Sequence, residues 1–336
     1  MKDTISIIGC NLDSEKLIEF CERTEIEIKC VLNDYTLDTT YMGIPIFRTD
    51  QLEIGAVVVN CVSSISPVDV RNVLLSKGAN VLDLVDFYEL NSTKIRPIMC
   101  EYLSANRNDF PYQFHDKTSN AQFSAVSNYL KTGQTKYMDG FKNCIDIQYL
   151  DIVSKIKPKK IIDCGGFDGD TSELFIKNIE GIERIHFFEP MPANMGKARK
   201  RLSGLNDLVE FYPLGLSQAN MKTRITSEGS ASKVNTESGV EIQLNTLDSL
   251  DLEPVDLIKI DIEGHEMEML LGAREYIKKC KPNIAIAVYH KPDDVVIIPR
   301  FLMELNPNYK IIFRHYTQGW SESVMYFIND ANISFD

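Results

Sequence analysis

Asp163, Asp168, Asp170 and Glu189, set among Gly165, Gly166 and Gly169, are the residues whose types and spacing point most directly to chemistry. A glycine-rich turn lets backbone approach a ligand closely. A carboxylate about 20 residues further on can accept from both hydroxyls of an adenosine ribose, and Glu189 follows Gly169 by 20 residues. In a dinucleotide site such glycines meet a pyrophosphate held at a helix N-terminus. Three carboxylates around the turn would repel that group and suit a cation. S-adenosylmethionine fits the pattern, with an adenosine, a sulfonium and an ammonium but no phosphate. Its contacts are expected from Asp163, Gly165, Gly166, Phe167, Asp168, Gly169, Thr171, Glu189, Pro190 and, further along, Asp261. Cys164 is read as a small residue packed beneath it. A purely structural βα turn and a nucleotide site are the alternatives.

A second constellation lies at Asp261, Glu263, His265, Glu266 and His290. Methyl transfer to a hydroxyl needs a base, or a cation that lowers the hydroxyl's pKa. Asp261 ends a strand, where it faces the acceptor or caps the next helix. His290 lies just past another strand end, as a general base or a surface histidine. Glu263, His265 and Glu266 surround a helix start, where acids are favourable for electrostatic reasons alone. Asp261, Glu263 and His290 offer a set for a divalent metal, but their spacing is not diagnostic and no metal is assigned. Lys259 is read as pairing with Asp163 or Asp261, and His186 and His315 as structural.

The elements that must hold these residues follow from hydrophobic patterning. Ile161–Asp163, the glycine turn, a helix opened by Thr171, Ser172 and Glu173, and Ile185–Phe188 make a βαβ unit with an acid at each strand end. Val209–Leu216 reads as a third strand that brings Leu216 and nearby amides to the adenine. Val255–Ile260 and Asn283–Val288 are further buried strands, and Lys310–His315 with Val324–Ile328 a closing hairpin. Lys222–Thr226 and Val240–Leu244 form a weak β pair around Ser227–Lys233, a lid or a hairpin tip.

Upstream, Thr4–Ile8, Ser14–Glu25, Ile26–Leu32, Ala56–Val62, Pro67–Lys77 and Val81–Leu84 alternate strand and helix, with Gly43–Phe47 as an edge segment. The fold class is therefore α/β: a smaller N-terminal α/β domain (1–95), a helical connector (96–150) with helices at Asn120–Thr132 and Ile145–Ile156, and a C-terminal domain (151–336). The first turn of the N-terminal domain holds one glycine, Gly9, which argues against a dinucleotide there. Asn33 and Asp34 are its candidate ribose contacts or simply a turn. Scaffold, sugar-nucleotide docking and NAD binding are the three readings of this domain. The connector aromatics, Tyr102 to Tyr149, are read as packing ahead of ligand stacking.

Across 336 residues the chain is 44% hydrophobic and 25% charged, as in a globular protein. A net charge of −12 and the lack of a basic stripe speak against a nucleic-acid partner. No apolar run is long enough for a membrane span, and the start lacks signal-peptide character. Eight cysteines without C-x-x-C spacing suggest reduced thiols and a cytoplasmic location.

The segments IIDCGGFDGDTS, FFEPMP and VDLIKIDIEGHEMEMLLGA together resemble the FkbM family of methyltransferases over roughly the last 190 residues. The resemblance implies a class I fold, with a seven-stranded doubly wound sheet whose last strand is antiparallel. It also implies S-adenosylmethionine-dependent O-methylation, often of sugars in bacterial glycans. The acceptor is then a small molecule or glycan, with nucleotide-linked sugars included. Homodimerisation is compatible with the N-terminal domain or connector. The acidic Asp168 and Asp170 and the added N-terminal domain, which many shorter members lack, depart from the family pattern; that domain resembles the Rossmann-like N-terminal domains that accompany sugar-modifying enzymes in bacterial surface-glycan pathways. The competing accounts are a non-catalytic glycan-pathway scaffold and an NAD(P)-dependent sugar oxidoreductase.

Overall fold

The computed structural model describes residues 4–329 except 106, 108–109, 206, 229–230 and 235–238. The chain divides into two compact units. Unit 1 holds residues up to Arg107, Ala121–Ile145 and His315–Glu322; unit 2 holds Asn108–Asn120, Asp146–Arg314 and the chain from Ser323. The stretch from 96 to 150 is thus shared between the units and forms no third one. Of its aromatics, Tyr129 and Tyr149 are buried and Tyr102 is half exposed.

Unit 1 contains a six-stranded sheet built from β1 (Thr4–Ile8), β2 (Glu27–Leu32), β3 (Thr40–Tyr41), β4 (Ile44–Phe47), β5 (Val57–Asn60) and β6 (Asn80–Asp83). Its order is β3-β4-β2-β1-β5-β6, parallel except where β3 turns back on β4. The segment around Ile44 is therefore one strand in from the edge, because it lends its backbone to both β2 and β3. Helices α1 (Leu12–Thr24) and α2 (Pro67–Ser76) form the crossovers. The expected Leu17, Ile18 and Cys21 face of α1 is buried against Ile5 and Ile7. Helices α3 (Leu84–Leu90) and α4 (Ile98–Leu103) were not legible in the sequence, being short and without a repeating apolar face. Helix α5 (Lys117–Thr132) begins in the segment shared with unit 2.

Unit 2 begins with α6 (Leu150–Ile156) and continues through β7 (Lys160–Cys164), α7 (Asp170–Asn178), β8 (Arg184–Phe188), α8 (Pro192–Arg201) and β9 (Val209–Tyr212). Helix α6 starts five residues later than expected, since Tyr149 just before it has φ +70 and cannot be helical. Four strands, β10 (Gly215–Leu216), β11 (Met221–Glu228), β12 (Ala231–Val234) and β13 (Val240–Asn245), form a separate sheet of order β10-β13-β11-β12. The stretch Val209–Leu216 is accordingly two strands in two sheets: Pro213 offers no N–H to continue the ladder. The β11–β13 pairing is antiparallel, as expected for that pair. Gly229 and Ser230, at the centre of the loop read as a lid or hairpin tip, lie outside the described residues.

The chain then adds β14 (Leu257–Ile260), α9 (Glu266–Leu271), α10 (Arg274–Cys280), β15 (Asn283–Ala287), α11 (Asp294–Leu305), β16 (Lys310–His315) and β17 (Ser323–Ile328). The main sheet runs β16-β17-β15-β14-β7-β8-β9. It has seven strands, as expected, and β17 pairs antiparallel with β15. From β7 the chain winds outward through β8 and β9, then resumes on the other side at β14. The carboxyl ends of β7 and β14 therefore flank the point where winding reverses, the place where open α/β sheets leave a crevice. Among the described residues no helix is long and apolar enough to cross a membrane.

Candidate active site

The glycine turn after β7 is fixed by what surrounds it. Gly165 has φ +74, and a Cβ there would lie 2.0 Å from the Asp261 carbonyl oxygen, so only glycine lets these two strand ends meet. A Cβ on Gly166 would sit 2.1 Å from the Phe187 ring. The amides of Gly165 and Gly166 both donate to the Phe188 carbonyl, at 3.0 and 3.1 Å. Phe167, at φ +49, is turned so that its ring is half exposed while its amide donates to Glu189 Oε2 at 3.1 Å. Glu189 Oε1 accepts from the Met191 amide at 2.8 Å. Burial raises the Glu189 pKa, against the pull of these two amides. The Asn194 side chain also bonds this carboxylate, whose roughly four acceptor positions then leave room for a ribose hydroxyl.

Beneath the turn, Lys259 and Asp163 are opposite one another on β14 and β7 and pair at 3.1 Å, both buried. Asp163 Oδ2 accepts from Ser172 Oγ at 2.6 Å, and Lys259 donates to the Gly165 carbonyl at 2.9 Å. Burial disfavours the Lys259 charge, but Asp163 and then Asp261 outweigh it and raise the pKa. Asp163 is therefore a positioning residue and not the ligand contact expected for it. Its carboxylate is consumed in tying Lys259 and α7 to the turn.

Asp168 corrects the charge argument as well. It forms an ion pair with Arg201 at 2.6 Å, and Arg201 also reaches Glu173. Asp170 accepts from the amide and hydroxyl of Thr171 at the start of α7. With Asp163 and Asp168 each matched by a cation, the turn is less negative than its sequence, and exclusion of a pyrophosphate no longer follows from charge. That contrast rests on Arg201, 33 residues beyond Asp168, which no local pattern reveals.

The turn opens on a cavity of about 280 Å³ lined by Cys164, Gly165, Phe188, Pro190, Gly215, Leu216 and the loop Ile262–His265, among others. Of the expected contacts, Gly165, Pro190 and Leu216 line it directly. Cys164 lies beneath it as anticipated, and burial pushes its thiol well above the usual range.

At the ends of β14 and β15 the second constellation does assemble. His290 Nε2 is 3.7 Å from Asp261 Oδ1 and 3.6 Å from Glu263 Oε2, and Nδ1 is 2.9 Å from Glu266 Oε1. Burial alone would lower the His290 pKa. Glu266, Asp261 and Glu263 together overcome it and raise the pKa to about 9. With no cation beside Nε2 these carboxylates favour the protonated ring, and His290 is held among them, not the surface histidine of the alternative reading. Glu266 is fully buried and accepts from the Ile262 and Gly264 amides. Burial raises its pKa, yet the His290 bond and charge prevail and lower it. His265 stands at the N-cap position of α9 without a side-chain capping bond and lies 2.9 Å from Ser217 Oγ; burial lowers its pKa. It borders the cavity but belongs to a separate polar pair. His186 and His315 are both buried.

One residue in the cluster escaped sequence reasoning, and a second was read only in part. Tyr149 donates its hydroxyl to Asp261 Oδ2 at 2.9 Å across 112 residues of chain. Glu266 was legible only as a favourable charge at a helix start, and its complete burial was not.

Comparison with known proteins converges on the same segment. Residues 163–311 match the methyltransferase FkbM domain. The solved structure of methyltransferase FkbM from Methylobacillus flagellatus KT superposes with a TM-score of 0.72 at 20% identity, covering 97% of this chain and 90% of that one. It shows the same α/β fold over both units. An rRNA methylase from Streptococcus thermophilus is similar at TM-score 0.36 and 14% identity, over 53% of this chain and 90% of its own, too distant to inform the site. No curated protein sequence matches the chain. The matched segment spans both constellations, from Asp163 past His290.

Proposed function

We propose that the protein is an S-adenosylmethionine-dependent O-methyltransferase acting on a hydroxyl of a sugar or glycan. One observation carries the cofactor reading. Glu189 is held by two backbone amides and stands between Phe188 and Pro190, which with Gly165 line an apolar cavity of about 280 Å³ at the reversal point of the sheet. The ribose then meets Glu189, and the adenine lies toward Leu216 and Pro190. A neutral polyhydroxyl acceptor suits the acidic cluster of Asp261, Glu263 and Glu266, which would repel an anion. The sugar assignment itself comes from the resemblance of the motifs.

In the reaction the acceptor oxygen attacks the sulfonium methyl in line. A C–O bond forms, the C–S bond breaks, and its electron pair stays on sulfur to give the neutral thioether. The hydroxyl proton passes to the carboxylate cluster, with Asp261 as first acceptor and Tyr149 and His290 positioning it. The donor is already activated, so alignment supplies much of the acceleration.

The N-terminal unit serves as a scaffold. Asn11 accepts from the Asp13 and Ser14 amides and donates to the Cys61 carbonyl, occupying the helix start a pyrophosphate would need. Asn33 and Asp34 are engaged in turns through Tyr35 and Thr49.

Calorimetric titration with S-adenosylhomocysteine tests this reading. Micromolar binding is expected for the wild type, with Glu189→Gln weaker by about 1.5–3 kcal/mol. Absence of binding, or binding indifferent to Glu189, would refute it.

A further inference from the structure

We infer that Asp261 and His290 form a binding site for one divalent cation, presented by Asp261 Oδ1 and His290 Nε2. Each side chain has its other polar atom anchored. Tyr149 donates to Asp261 Oδ2 at 2.9 Å, which leaves Oδ1 facing the imidazole. His290 Nδ1 lies 2.9 Å from Glu266 Oε1, and Glu266 is held in turn by the Ile262 and Gly264 amides at 3.1 and 3.2 Å. A carboxylate behind one ring nitrogen fixes the tautomer and presents the other nitrogen, the usual arrangement around a metal-ligating histidine.

Two buried atoms in this cluster lack a hydrogen-bond partner: His290 Nε2, and Oε2 of the fully buried Glu266. Buried polar atoms of this kind are rarely left unpaired without a reason. Asp261, Glu266 and His290 each offer one ligand atom, all within 4.8 Å of one another. Two ligands about 2.1 Å from a common ion stand about 3.0–3.5 Å apart. The 3.7 Å between Oδ1 and Nε2 needs only a small inward shift to reach that range. Glu263 Oε2, 3.6 Å from Nε2, provides a further arm from the loop that lines the cavity. Three carboxylates converge on one imidazole, so the cluster gathers more negative than positive charge. Oxygen donors with one imidazole suit Mn²⁺, Fe²⁺ or Zn²⁺ better than soft cations. The site's role rests on the methyl-transfer reading above, in which the cation holds and acidifies the acceptor hydroxyl.

The test strips full-length protein with EDTA and titrates it with MnCl₂, reading free Mn²⁺ by electron paramagnetic resonance. One Mn²⁺ per chain is expected. Affinity should fall at least about tenfold in Asp261→Asn and in His290→Gln, and roughly 10–100-fold in Glu266→Gln, whose effect passes through His290. Asp251→Asn, at an exposed acid elsewhere, should leave binding unchanged. Circular dichroism melts check that each variant is folded, and Tyr149→Phe, expected to weaken binding several-fold, replaces any that is not. No stoichiometric binding, or equal binding in Asp261→Asn and His290→Gln, overturns the site. S-adenosylhomocysteine is titrated in parallel into the metal-free protein. Its binding without Mn²⁺ binding overturns the cation site alone. Mn²⁺ binding without it leaves the site standing and removes the methyl-donor reading.

Discussion

In the N-terminal unit the strand ends that could receive a nucleotide are occupied by the protein's own side chains, whereas in the C-terminal unit they border a cavity. Asn11 caps the amides after β1, and buried Asp13 accepts from Ser63 Oγ and the Ile98 amide. Asp83 is taken up by Thr135, and about 10 Å³ is left at the ends of β5 and β6. A larger cavity of about 300 Å³ lies beside β1, β2 and β5, and no residue of the first turn, 9–13, lines it. After β7 and β14 the arrangement is opposite: about 280 Å³ remains open beside Glu189 and the glycine turn. Both units are βαβ arrays, so topology supplies a crevice in each. The side chains at the strand ends decide whether it stays open.

The histidines repeat the contrast. Burial, with Arg107 nearby, pushes His315 in unit 1 down to about 3, so it is neutral in the fold. Carboxylates pull His290 in unit 2 the other way.

The largest expected effect concerns the floor of the open site. Lys259→Met leaves Asp163 charged and buried without its partner, at a cost of about 3–5 kcal/mol in chemical denaturation. Adding Asp163→Asn should recover a good part of that loss. If Lys259→Met were as stable as the wild type, the pair would not hold the turn.

A smaller effect follows from His315. Its pKa is lower folded than unfolded, so the unfolded chain binds the proton first as pH falls. Stability is complete above about pH 6.5 and declines from there toward pH 3, with a loss of about 2 kcal/mol at pH 5. Denaturant melts at pH 7 and pH 5 would show it, and His315→Gln should flatten this part of the profile. An unchanged slope in that variant would assign the acid sensitivity elsewhere.

Smallest is Asn11→Ala, which removes a helix cap at about 1 kcal/mol. It should leave S-adenosylhomocysteine binding unaltered, as unit 1 holds no part of that site in this account. A change in affinity would break the separation between the two crevices.

Much of this was legible in the sequence because it depends on local pattern. Apolar runs ending in acids gave β7, β8 and β14, and positive-φ glycines gave the turn. Glu189 was placed just past β8, and Asp261 and His290 just past neighbouring strands. What escaped depends on distant partners. Asp163 and Asp168 looked like a field of free negative charge until Lys259 and Arg201 were placed against them. Tyr149 sat in an aromatic stretch with nothing to mark it, yet its hydroxyl meets Asp261. Pro213 could have warned that Val209–Leu216 breaks in two. The division of the 96–150 stretch between units had no compositional signal at all.

The most direct measurement is a crystal structure of the full-length protein with S-adenosylhomocysteine. The account expects the ribose hydroxyls on Glu189, the adenine against Leu216 and Pro190, and the sulfur directed toward Asp261. Ligand density at the strand ends of unit 1, or in unit 2 without contact to Glu189, would contradict it.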